Sequence, residues 1–377
     1  MRIAIDYTPA LRQGAGIGRY TRGLVDGLRA LSPADSITLL VAADAAGQGA
    51  AAAPPFPIRR IPLTGRQQAV LWHRLHLPLP ADWFAGDVDI YHSPDFVLPP
   101  LRRARGVMTV HDLSFLRAPE CADPGLRRYL ERAVPHALRR AARILADSSS
   151  TRHDLLTLLG IDAARIDVVY PGVGPAYQPV TDTAQRQTVR QRYGLDRPFI
   201  LSVGTLEPRK NYERLIQAYA AAQAAARLPH QLVIAGGRGW LYQSIFDTVE
   251  QSGLGSSVRF LGYVAETDLP TLYSLADIFV FPSRYEGFGI PVIESMACGA
   301  PVIAANNSSL PEAAGDAALL VAAEDVDGLA HALLRLLADD ALRTTLRQRG
   351  FSQAARFTWA SAAQSLLHAY ARTLEDA

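Results

Sequence analysis

Short apolar runs alternate with amphipathic stretches along the whole chain, and this alternation predicts an α/β protein with parallel sheets. Several of the runs are apolar throughout, as expected of strands that are buried on both faces of a sheet. In the first half of the chain, the predicted strands cover residues 2–6, 37–42, 58–61, 89–92, 106–110, 143–146 and 167–170. The predicted helices there cover residues 17–31, 124–138 and 149–159.

Local signals refine three of these regions. Ser148 and Ser149 suit the N-cap of the helix at 149–159, because a serine side chain accepts a hydrogen bond from the first free amides of a helix. Pro135 lies inside the helix at 124–138 and predicts a kink or a break there. Residues 45–55 are rich in alanine, glycine and proline, which favours a surface loop.

A second alternation begins after a proline-rich segment. Residues 171–198 contain four prolines and no clear strand, so we place the interdomain linker in this segment. Predicted strands follow at residues 199–203, 231–235, 257–261, 277–281, 301–304 and 318–321, and predicted helices at 212–225, 242–252, 266–275 and 291–298. Three helical stretches, near residues 327–337, 341–354 and 360–373, complete the chain. The pattern predicts two Rossmann-like halves with a cleft between them.

Composition excludes several classes of protein. The chain has 377 residues, which favours two domains, and with 49% hydrophobic and 20% charged residues it can build a large core. No apolar run reaches the ~20 residues that a membrane helix needs, and the N-terminal sequence MRIAID resembles a strand more than a signal peptide. These features favour a soluble cytoplasmic protein. The two cysteines, Cys121 and Cys298, cannot form a disulfide framework or a cysteine metal site.

Charge is distributed unevenly along the chain, although the net charge is only +2. Residues 1–175 contain 21 arginines and 16 acidic residues, a net charge of +5, and the remainder has a net charge of −3. The overall balance argues against a nucleic-acid-binding protein. The basic first half favours an anionic partner such as a phosphate, a diphosphate lipid or a membrane surface, although scattered surface arginines would give the same count.

The sequence GTLEPRKN at 204–211 contains the only lysine of the chain, Lys210, directly after Arg209. It lies between a predicted strand and a predicted helix, which is where α/β proteins bind their ligands. The rigid guanidinium of Arg209 and the mobile ammonium of Lys210 suit a diphosphate. Two cations at the positive end of a helix dipole are unfavourable without an anion. We therefore predict an anion site here, with a solvated helix N-terminus as the alternative.

Two features of the first half also lie at strand ends. Glycines 14, 16 and 18 follow the first strand and let backbone amides approach an anion. They do not fit the dinucleotide pattern G-x-G-x-x-G, because Tyr20 and Thr21 occupy the place of the third glycine. His111 follows the apolar strand at 106–110 and could donate a hydrogen bond, relay a proton or shape a pocket. A histidine satisfied by backbone partners in a loop is the alternative.

The segment SRYEGFGIPVIE at 283–294 follows the apolar strand at 277–281. Gly287 and Gly289 permit a tight turn with exposed backbone amides, and Pro291 suits the first position of a helix. This places Glu286 in the loop and Glu294 near the start of the helix. The two carboxylates need not form a glycosidase pair, since one can hold sugar hydroxyls and the other a ribose. A helix N-terminal acid that complements the dipole is an alternative for Glu294 but not for Glu286.

Glu286 and Glu294, with seven residues between them in EGFGIPVIE, resemble the E-x7-E signature of retaining glycosyltransferases of family 4, the glycosyl transferases group 1, which have the GT-B fold. GTLEPRKN resembles the donor-diphosphate motif of this family. GAGIGRY, His111 and YPGVGPAY match its pattern in order, and LVIAGGRG and FLGYV look like the strands that line its nucleotide-base pocket. The likeness covers nearly the whole chain, although the first domain contains no acceptor motif that we recognise.

The resemblance implies two Rossmann-like domains that face each other across a cleft. The acceptor-binding domain would span residues 1–175 and the nucleotide-sugar-binding domain residues 176–356, with a C-terminal helix at 357–377 that packs back toward the first domain. The implied reaction moves a sugar from a nucleotide diphosphate to an acceptor hydroxyl with retention at the anomeric carbon. In the front-face mechanism that the family favours, the leaving phosphate takes the acceptor proton.

The resemblance also implies roles for single residues. Arg209 and Lys210 would neutralise the diphosphate leaving group, so that no metal or other cofactor is required. Glu294 would hold the donor ribose, Glu286 the donor sugar, and His111 would hydrogen-bond that sugar from the opposite domain. The catalytic group would thus comprise His111, Arg209, Lys210 and Glu286. Further donor contacts would come from Gly16, Gly204, Gly287, Phe288, Gly289 and Ile290.

The substrates are less closely determined. The motif GTLEPRKN is most similar to the corresponding motif of mannosyltransferases that use GDP-mannose. UDP-glucose and related nucleotide sugars are the alternative donors. The implied acceptor is a growing glycan or a polyprenyl-diphosphate-linked sugar, and the implied process is polysaccharide biosynthesis. Residues 66–76 mix basic and apolar side chains around Trp72, which favours peripheral association with the inner face of the cytoplasmic membrane. An ordinary amphipathic helix packed on its own domain is the alternative.

Three other classes of protein share some of these features. A GT-B-type sugar-nucleotide epimerase or hydrolase would have the same carboxylates but would turn over the donor without an acceptor. A nicotinamide oxidoreductase would need the dinucleotide pattern that fails at Tyr20. A non-catalytic sugar-binding module would not require Arg209, Lys210, Glu286 and Glu294 together.

Overall fold

The computed structural model describes residues 1–14, 16–45, 54–75 and 77–376. The chain divides into two compact units, each built around one parallel sheet. The first unit consists of Met1–Leu113, Gly125–Gly172 and Thr358–Ala377, and the second of Ser114–Pro124 and Val173–Phe357. Among the described residues, none of the helices combines the length and the apolar composition that a membrane span requires.

Strands and helices alternate along the chain. The strands are β1 Arg2–Asp6, β2 Ser36–Ala42, β3 Ile58–Ile61, β4 Ile90–Ser93, β5 Arg105–Val110, β6 Arg143–Ala146, β7 Ile166–Val168, β8 Phe199–Val203, β9 Gln231–Ala235, β10 Val258–Gly262, β11 Ile278–Phe281, β12 Val302–Ala305 and β13 Ala318–Val321. The helices are α1 Thr8–Arg12, α2 Ile17–Leu31, α3 Gly65–Gln68, α4 Asp82–Ala85, α5 Ser114–Arg117, α6 Pro124–Arg140, α7 Ser149–Leu159, α8 Thr183–Tyr193, α9 Tyr212–Ala226, α10 Gln243–Gln251, α11 Leu269–Leu275, α12 Ile290–Ala297, α13 Leu310–Ala314, α14 Val326–Ala338, α15 Asp340–Ala354 and α16 Trp359–Glu375. A π-helical turn, Ala69–Arg74, continues α3, and 3-10 turns cover Pro119–Cys121, Ala163–Arg165 and Pro208–Lys210.

The sheet of the first unit has the strand order β3-β2-β1-β4-β5-β6-β7. The order reverses between β1 and β4, so the carboxyl ends of these two strands border a crevice of the kind in which open α/β sheets bind ligands. Helices α2 and α16 pack on the sheet through buried side chains such as Leu24, Leu28 and Leu366. The Tyr370 hydroxyl of α16 lies 2.7 Å from Nδ1 of His92 in β4, which ties the C-terminal helix to this sheet.

The sheet of the second unit has the order β10-β9-β8-β11-β12-β13. Here the order reverses between β8 and β11, which are neighbours with Ile278 opposite Ile200 and Phe279 opposite Leu201. Helices α9 and α14 cover one face of this sheet and bury Leu215 and Leu333 in its core. The second crevice therefore lies at the carboxyl ends of β8 and β11.

The α/β class and the two Rossmann-like halves are confirmed. Six predicted strands, β1, β3, β6, β8, β9 and β13, have the predicted bounds, and the other seven differ by at most two residues. The predicted cap of α7 is Ser148, whose Oγ accepts a hydrogen bond of 3.0 Å from the Thr151 amide. The predicted surface loop at 45–55 falls largely on residues 46–53, which lie outside the described residues.

Three expectations about helices need correction. Of the predicted kink or break at Pro135, the break does not occur, because α6 continues to Arg140 and buries Val134, Ala137 and Leu138 on either side of the proline. The glycine-rich turn does not follow the first strand directly, since α1 lies between β1 and the turn. Residues 171–198 contain α8, which the sequence did not indicate.

Candidate functional site

Two loops meet at the crevice of the second unit. The first loop follows β8 and ends in the turn Pro208–Lys210, and the second follows β11 and leads into α12. A backbone hydrogen bond of 2.8 Å from the Arg284 amide to the Arg209 carbonyl joins them. The motifs at 204–211 and 283–294, which are far apart in sequence, therefore form one site at the reversal of the strand order.

Glu286 binds both of the predicted cations. Its Oε1 accepts a hydrogen bond of 2.6 Å from Lys210 Nζ, and its Oε2 accepts one of 2.8 Å from Arg209 Nη1. The residue is only 7% exposed. Burial raises the pKa of Glu286, but the positive charges of Arg209 and Lys210 lower it by more than burial raises it, and the resulting pKa is about 2. The sequence predicted an anion beside the two cations, and in this structure the chain itself supplies one.

Other side chains hold the cations in position. Glu207, buried in the same loop, accepts a hydrogen bond of 2.7 Å from Arg209 Nη2. Lys210 Nζ lies 4.9 Å from the centre of the Phe281 ring at the end of β11, within the range of a cation–π interaction. A Cβ atom on Gly204 would lie 3.2 Å from Lys210 Cε, so a larger residue would crowd the lysine stem.

The turn between Glu286 and α12 depends on Gly289. This residue has φ +100°, a conformation that L-residues with a side chain rarely adopt, and a Cβ atom there would lie 2.7 Å from Leu310 Cδ2. Helix α12 begins at Ile290, so Pro291 is its second residue rather than the predicted first. The first amides of a helix have no acceptor within the helix and can bind an anion or a hydroxyl.

Two serines that the sequence did not indicate fix the backbone of Glu286. Its amide donates a hydrogen bond of 3.0 Å to Ser308 Oγ, and its carbonyl accepts one of 2.9 Å from Ser309 Oγ. These serines lie after β12, which neighbours β11 in the sheet. The sequence places both serines directly after a predicted strand, and this position could have identified them as candidates for the site.

Glu294 is the fifth residue of α12 and is 1% exposed. Its Oε2 accepts a hydrogen bond of 3.3 Å from the Tyr273 hydroxyl. Phe288, in the turn before the helix, is buried and packs edge-to-face on Phe357 with 5.1 Å between ring centres. The structure thus separates the two acids, with Glu286 in the loop and Glu294 on the helix.

His111 directly follows β5 in the first unit. Its Nδ1 lies 2.8 Å from Asp147 Oδ2 and its Nε2 lies 2.9 Å from the Pro94 carbonyl oxygen. Because a carboxylate and a carbonyl both accept, both ring nitrogens donate and the imidazole is protonated. Burial lowers the pKa of His111, but Asp147 raises it, and the resulting pKa is about 9. A hydrogen bond from His111 to any ligand would therefore replace one of these two bonds.

Asp147 was missed although its position carries a signal. It directly follows β6, and β6 neighbours β5 in the sheet, so its side chain lies at the same edge as His111. Gly16, in the glycine-rich turn, precedes α2 as its N-cap and has φ +57°. Ala15 of the same turn lies outside the described residues.

Trp72 does not lie at the surface. It is 2% exposed, and its indole Nε1 donates a hydrogen bond of 2.8 Å to the Leu79 carbonyl. The exposed apolar side chains of this region are instead Leu75 and Leu77. Within the described ranges, no group of three or more histidine, cysteine, aspartate and glutamate side chains is arranged to hold a metal ion.

Comparison with known proteins gives matches along most of the chain. Residues 14–177 match the family Glycosyltransferase Family 4, and residues 185–353 match the family Glycosyl transferases group 1. The O-antigen chain mannosyltransferase B of Escherichia coli is 38% identical over 301 residues, which cover 79% of this chain and 78% of that protein. The serotype-specific mannosyltransferase WbdA of Escherichia coli is 32% identical over 275 residues, 72% of this chain, and the match spans only 34% of WbdA.

The fold has counterparts among solved structures. The sucrose-phosphate synthase of Thermosynechococcus elongatus matches this chain with a TM-score of 0.78, and the match covers 100% of both chains. Sequence identity in this match is 22%, so it shows a shared fold and no more.

Proposed function

The chain belongs to the glycosyl transferases group 1, and from this premise we propose that it transfers mannose from GDP-mannose, with retention at the anomeric carbon. The observation that carries the proposal is the binding of Arg209 and Lys210 to one carboxylate, Glu286, at the crevice of the second sheet. Similarity to the O-antigen chain mannosyltransferase B supports mannose as the sugar. The proposed acceptor is a hydroxyl of a growing glycan or of a polyprenyl-diphosphate-linked sugar.

The cluster would bind a diphosphate through its two cations. A lysine ammonium has three N–H donors, of which Lys210 donates one to Glu286. Arg209 donates to Glu286, to the Tyr285 carbonyl and to Glu207. Lys210 Nζ would also donate to oxygens of the donor diphosphate, and the Arg209 guanidinium would add positive charge beside them. As the glycosidic bond breaks, negative charge grows on the leaving phosphate, and the preorganised cations stabilise that charge more than they stabilise the ground state.

Glu286 would then orient the donor sugar. An ionised carboxylate has about four lone-pair positions, of which the two cations occupy two. The remaining positions would accept hydrogen bonds from sugar hydroxyls, which fixes the sugar beside the phosphate that leaves. Because the same carboxylate contacts cations and sugar, the position of the anomeric carbon would be coupled to the position of the diphosphate.

The remaining donor contacts follow from the turn and from α12. Glu294 would accept hydrogen bonds from the donor ribose, and backbone amides of Gly287, Phe288, Gly289 and Ile290 would bind phosphate and sugar oxygens. Gly204 and Gly16 would allow the backbone to approach the diphosphate. His111 would hydrogen-bond the donor sugar after one of its present bonds is exchanged.

Metal independence is part of the proposal. Arg209 and Lys210 provide the positive charge that a divalent cation supplies in other transferases, so no metal or further cofactor would be required for turnover. The Escherichia coli relatives are named as transferases, which disfavours an epimerase or a hydrolase that acts without an acceptor.

Peripheral binding to the cytoplasmic face of a membrane would bring the chain to a lipid-linked acceptor. Leu75 is 60% exposed and Leu77 is 43% exposed, and exposed Arg74 lies beside them in sequence. Exposed apolar side chains next to a cation suit an interface of anionic lipids.

A panel of nucleotide sugars tests the proposal. We would incubate the full chain with GDP-mannose, GDP-fucose, UDP-glucose or UDP-N-acetylglucosamine, and with octyl α-D-mannopyranoside as acceptor, in the presence of EDTA or of magnesium. The expected result is release of GDP and formation of a disaccharide from GDP-mannose at the same rate in both buffers. Turnover that is lost in EDTA and restored by magnesium would contradict metal independence, and turnover of UDP-sugars alone would contradict the donor.

A further inference from the structure

The His111 ring is fixed by four contacts within the first unit. Its Nδ1 lies 2.8 Å from Oδ2 of Asp147, which follows β6, and its Nε2 lies 2.9 Å from the carbonyl oxygen of Pro94, which follows β4. The rings of Tyr20 and Phe96 stand edge-on to it, with 4.8 Å and 5.7 Å between ring centres. The residue is buried, so the ring cannot rotate without breaking these contacts.

The two hydrogen bonds of His111 differ in strength. The bond to Asp147 joins an imidazolium to a carboxylate, and such charge-assisted bonds are roughly twice as strong as neutral ones. Asp147 is buried, and its Oδ1 accepts no hydrogen bond within the described part of the chain. A carboxylate buried in this way needs the donor that His111 Nδ1 supplies. The bond to the neutral Pro94 carbonyl is therefore the one that a ligand can replace.

Three acids surround the ring. Burial lowers the pKa of His111, but the charge and hydrogen bond of Asp147, together with the charge of Asp95, raise it to about 9. Asp112, the next residue along the chain, acts on Asp147 through its charge. Of the three acids, Asp147 is the one that is hydrogen-bonded to the ring, and it contributes most to keeping the ring protonated.

The other titratable groups near the ring are uncharged. Burial lowers the pKa of His92 on β4 to about 3, so this imidazole is neutral and binds Tyr370 and Thr109. Burial also holds the pKa of the Tyr20 hydroxyl well above its ordinary value. His111 is thus the cation of this buried cluster, and Asp147 is its counter-ion.

We infer that Asp147 is a positioning residue, which keeps His111 an imidazolium with Nδ1–H on the carboxylate, so that Nε2–H is the donor that leaves the Pro94 carbonyl for an oxygen of the donor sugar. The contact with the donor sugar rests on the proposed function, whereas the effect of Asp147 on His111 does not. An imidazolium N–H donates a stronger hydrogen bond than a neutral imidazole does.

Asp147→Asn removes the negative charge and keeps the size of the side chain. The amide of asparagine can donate to Nδ1 of a neutral imidazole, which still donates from Nε2 to Pro94, so the variant should fold. Loss of an opposite charge at contact distance should lower the pKa of His111 by about 1–3 units. Asp147→Glu retains the charge and should retain a larger part of the shift.

Nitrogen-15 NMR of the histidine side chains in the full chain measures this effect directly, and His111→Gln identifies the signal. The midpoint of the His111 titration should lie above the ordinary 6.5 in wild type and about 1–3 units lower in Asp147→Asn. The matched control Asp196→Asn changes an exposed carboxylate of the second unit and should leave the midpoint unchanged. Equal midpoints in wild type and Asp147→Asn, or a wild-type midpoint below 6.5, would overturn the inference.

Turnover of GDP-mannose tests the role of this pair in the reaction. At pH 8.5, kcat/KM of Asp147→Asn should be about tenfold or more below wild type, because a neutral donor replaces a charged one. At pH 5.5, where His111 is protonated in both proteins, the ratio should return toward one. A defect in structure alone would lower kcat/KM by the same factor at both pH values, and that result would overturn the assigned role. Thermal melting at both pH values checks that the variant is folded.

The two measurements separate this inference from the proposed function. A His111 titration that Asp147→Asn shifts to lower pH, together with no turnover of any nucleotide sugar by wild type, would contradict the proposed function and leave the effect of Asp147 on His111 intact. Turnover by wild type with an unshifted titration in the variant would leave the proposed function intact and contradict this inference.

Discussion

Glu286 forms ion pairs with two cations, Arg209 and Lys210, and the proposed donor site is built on this arrangement. Arg209 and Lys210 would repel each other across the loop, and a carboxylate 2.6 Å from one and 2.8 Å from the other offsets that repulsion. The cations are thus in place before any ligand arrives. Preorganisation of this kind lowers the barrier, since no charge has to move into position during the reaction.

Lys210→Ala should slow the chemical step more than it weakens binding of the donor. In the proposed reaction the ammonium group would stabilise the charge that grows on the leaving phosphate, so a loss of about 10²-fold or more in kcat is expected. Lys210→Arg, which keeps the charge, should retain part of the rate. The measurement is steady-state kinetics with GDP-mannose, and Arg335→Ala, which removes an exposed cation on α14, is the control. An unchanged kcat with a raised KM would show that Lys210 serves ground-state binding only.

Acid should destabilise the second unit through Glu286. Its folded pKa, about 2, lies below the ordinary value of 4.5, so its contribution to stability is complete above pH 4.5 and is lost as the pH falls toward 2. The full shift corresponds to about 3 kcal/mol in the free energy of unfolding. In urea titrations between pH 6 and 2, the stability difference between wild type and Glu286→Gln should shrink on acidification by an amount of this order.

The control for this acid titration is Glu250→Gln, which changes an exposed carboxylate on α10. Its stability difference from wild type should stay nearly constant over the same range of pH. If Glu286→Gln behaved like Glu250→Gln, the ion pairs of Glu286 would not stabilise the folded protein.

At the level of elements, the site consists of two loops whose geometry the neighbouring strands impose. The loop after β11 turns sharply at Gly289 and enters α12, and this turn determines where Glu286 and the first amides of the helix lie. Only glycine fits at position 289, because a residue with a side chain would be strained at φ +100° and its Cβ atom would also clash with Leu310.

Gly289→Ala should therefore destabilise the second unit and displace Glu286. Backbone strain of this kind costs about 1–3 kcal/mol, and the contact with Leu310 adds to it. Thermal unfolding and GDP-mannose turnover would be compared with Gly255→Ala, a position at which an added Cβ meets no atom within 4 Å. Equal stability and equal turnover of the two variants would show that the turn tolerates a side chain and that this account of it is wrong.

The sequence predicted the bounds of a helix or strand more accurately when that element buries more apolar surface. Strands such as β8 and β9 are buried along nearly their whole length, so their apolar runs gave their bounds directly. Helix α8 buries only Val189 and is otherwise polar, so it carries no helical apolar period that could be recognised. Pro135 removes one backbone donor, and the packing of Val134 and Leu138 maintains the helix around it.

Across the whole molecule, the sequence predicted the positions of single residues better than the contacts between them. The positions of Arg209, Lys210 and Glu286 in loops that follow strands were predicted. Their ion pairs could not be predicted, because they join residues 76 and 77 positions apart and depend on the adjacency of β8 and β11.

The central claim is that the chain transfers mannose from GDP-mannose with retention at the anomeric carbon and without a metal. The most direct measurement is the anomeric configuration of the disaccharide formed from GDP-mannose and octyl α-D-mannopyranoside in EDTA, determined by NMR of the purified product. GDP-mannose carries its sugar in the α configuration, so the account predicts an α-linked product. A β-linked product, or transfer from UDP-sugars but not from GDP-mannose, would contradict it.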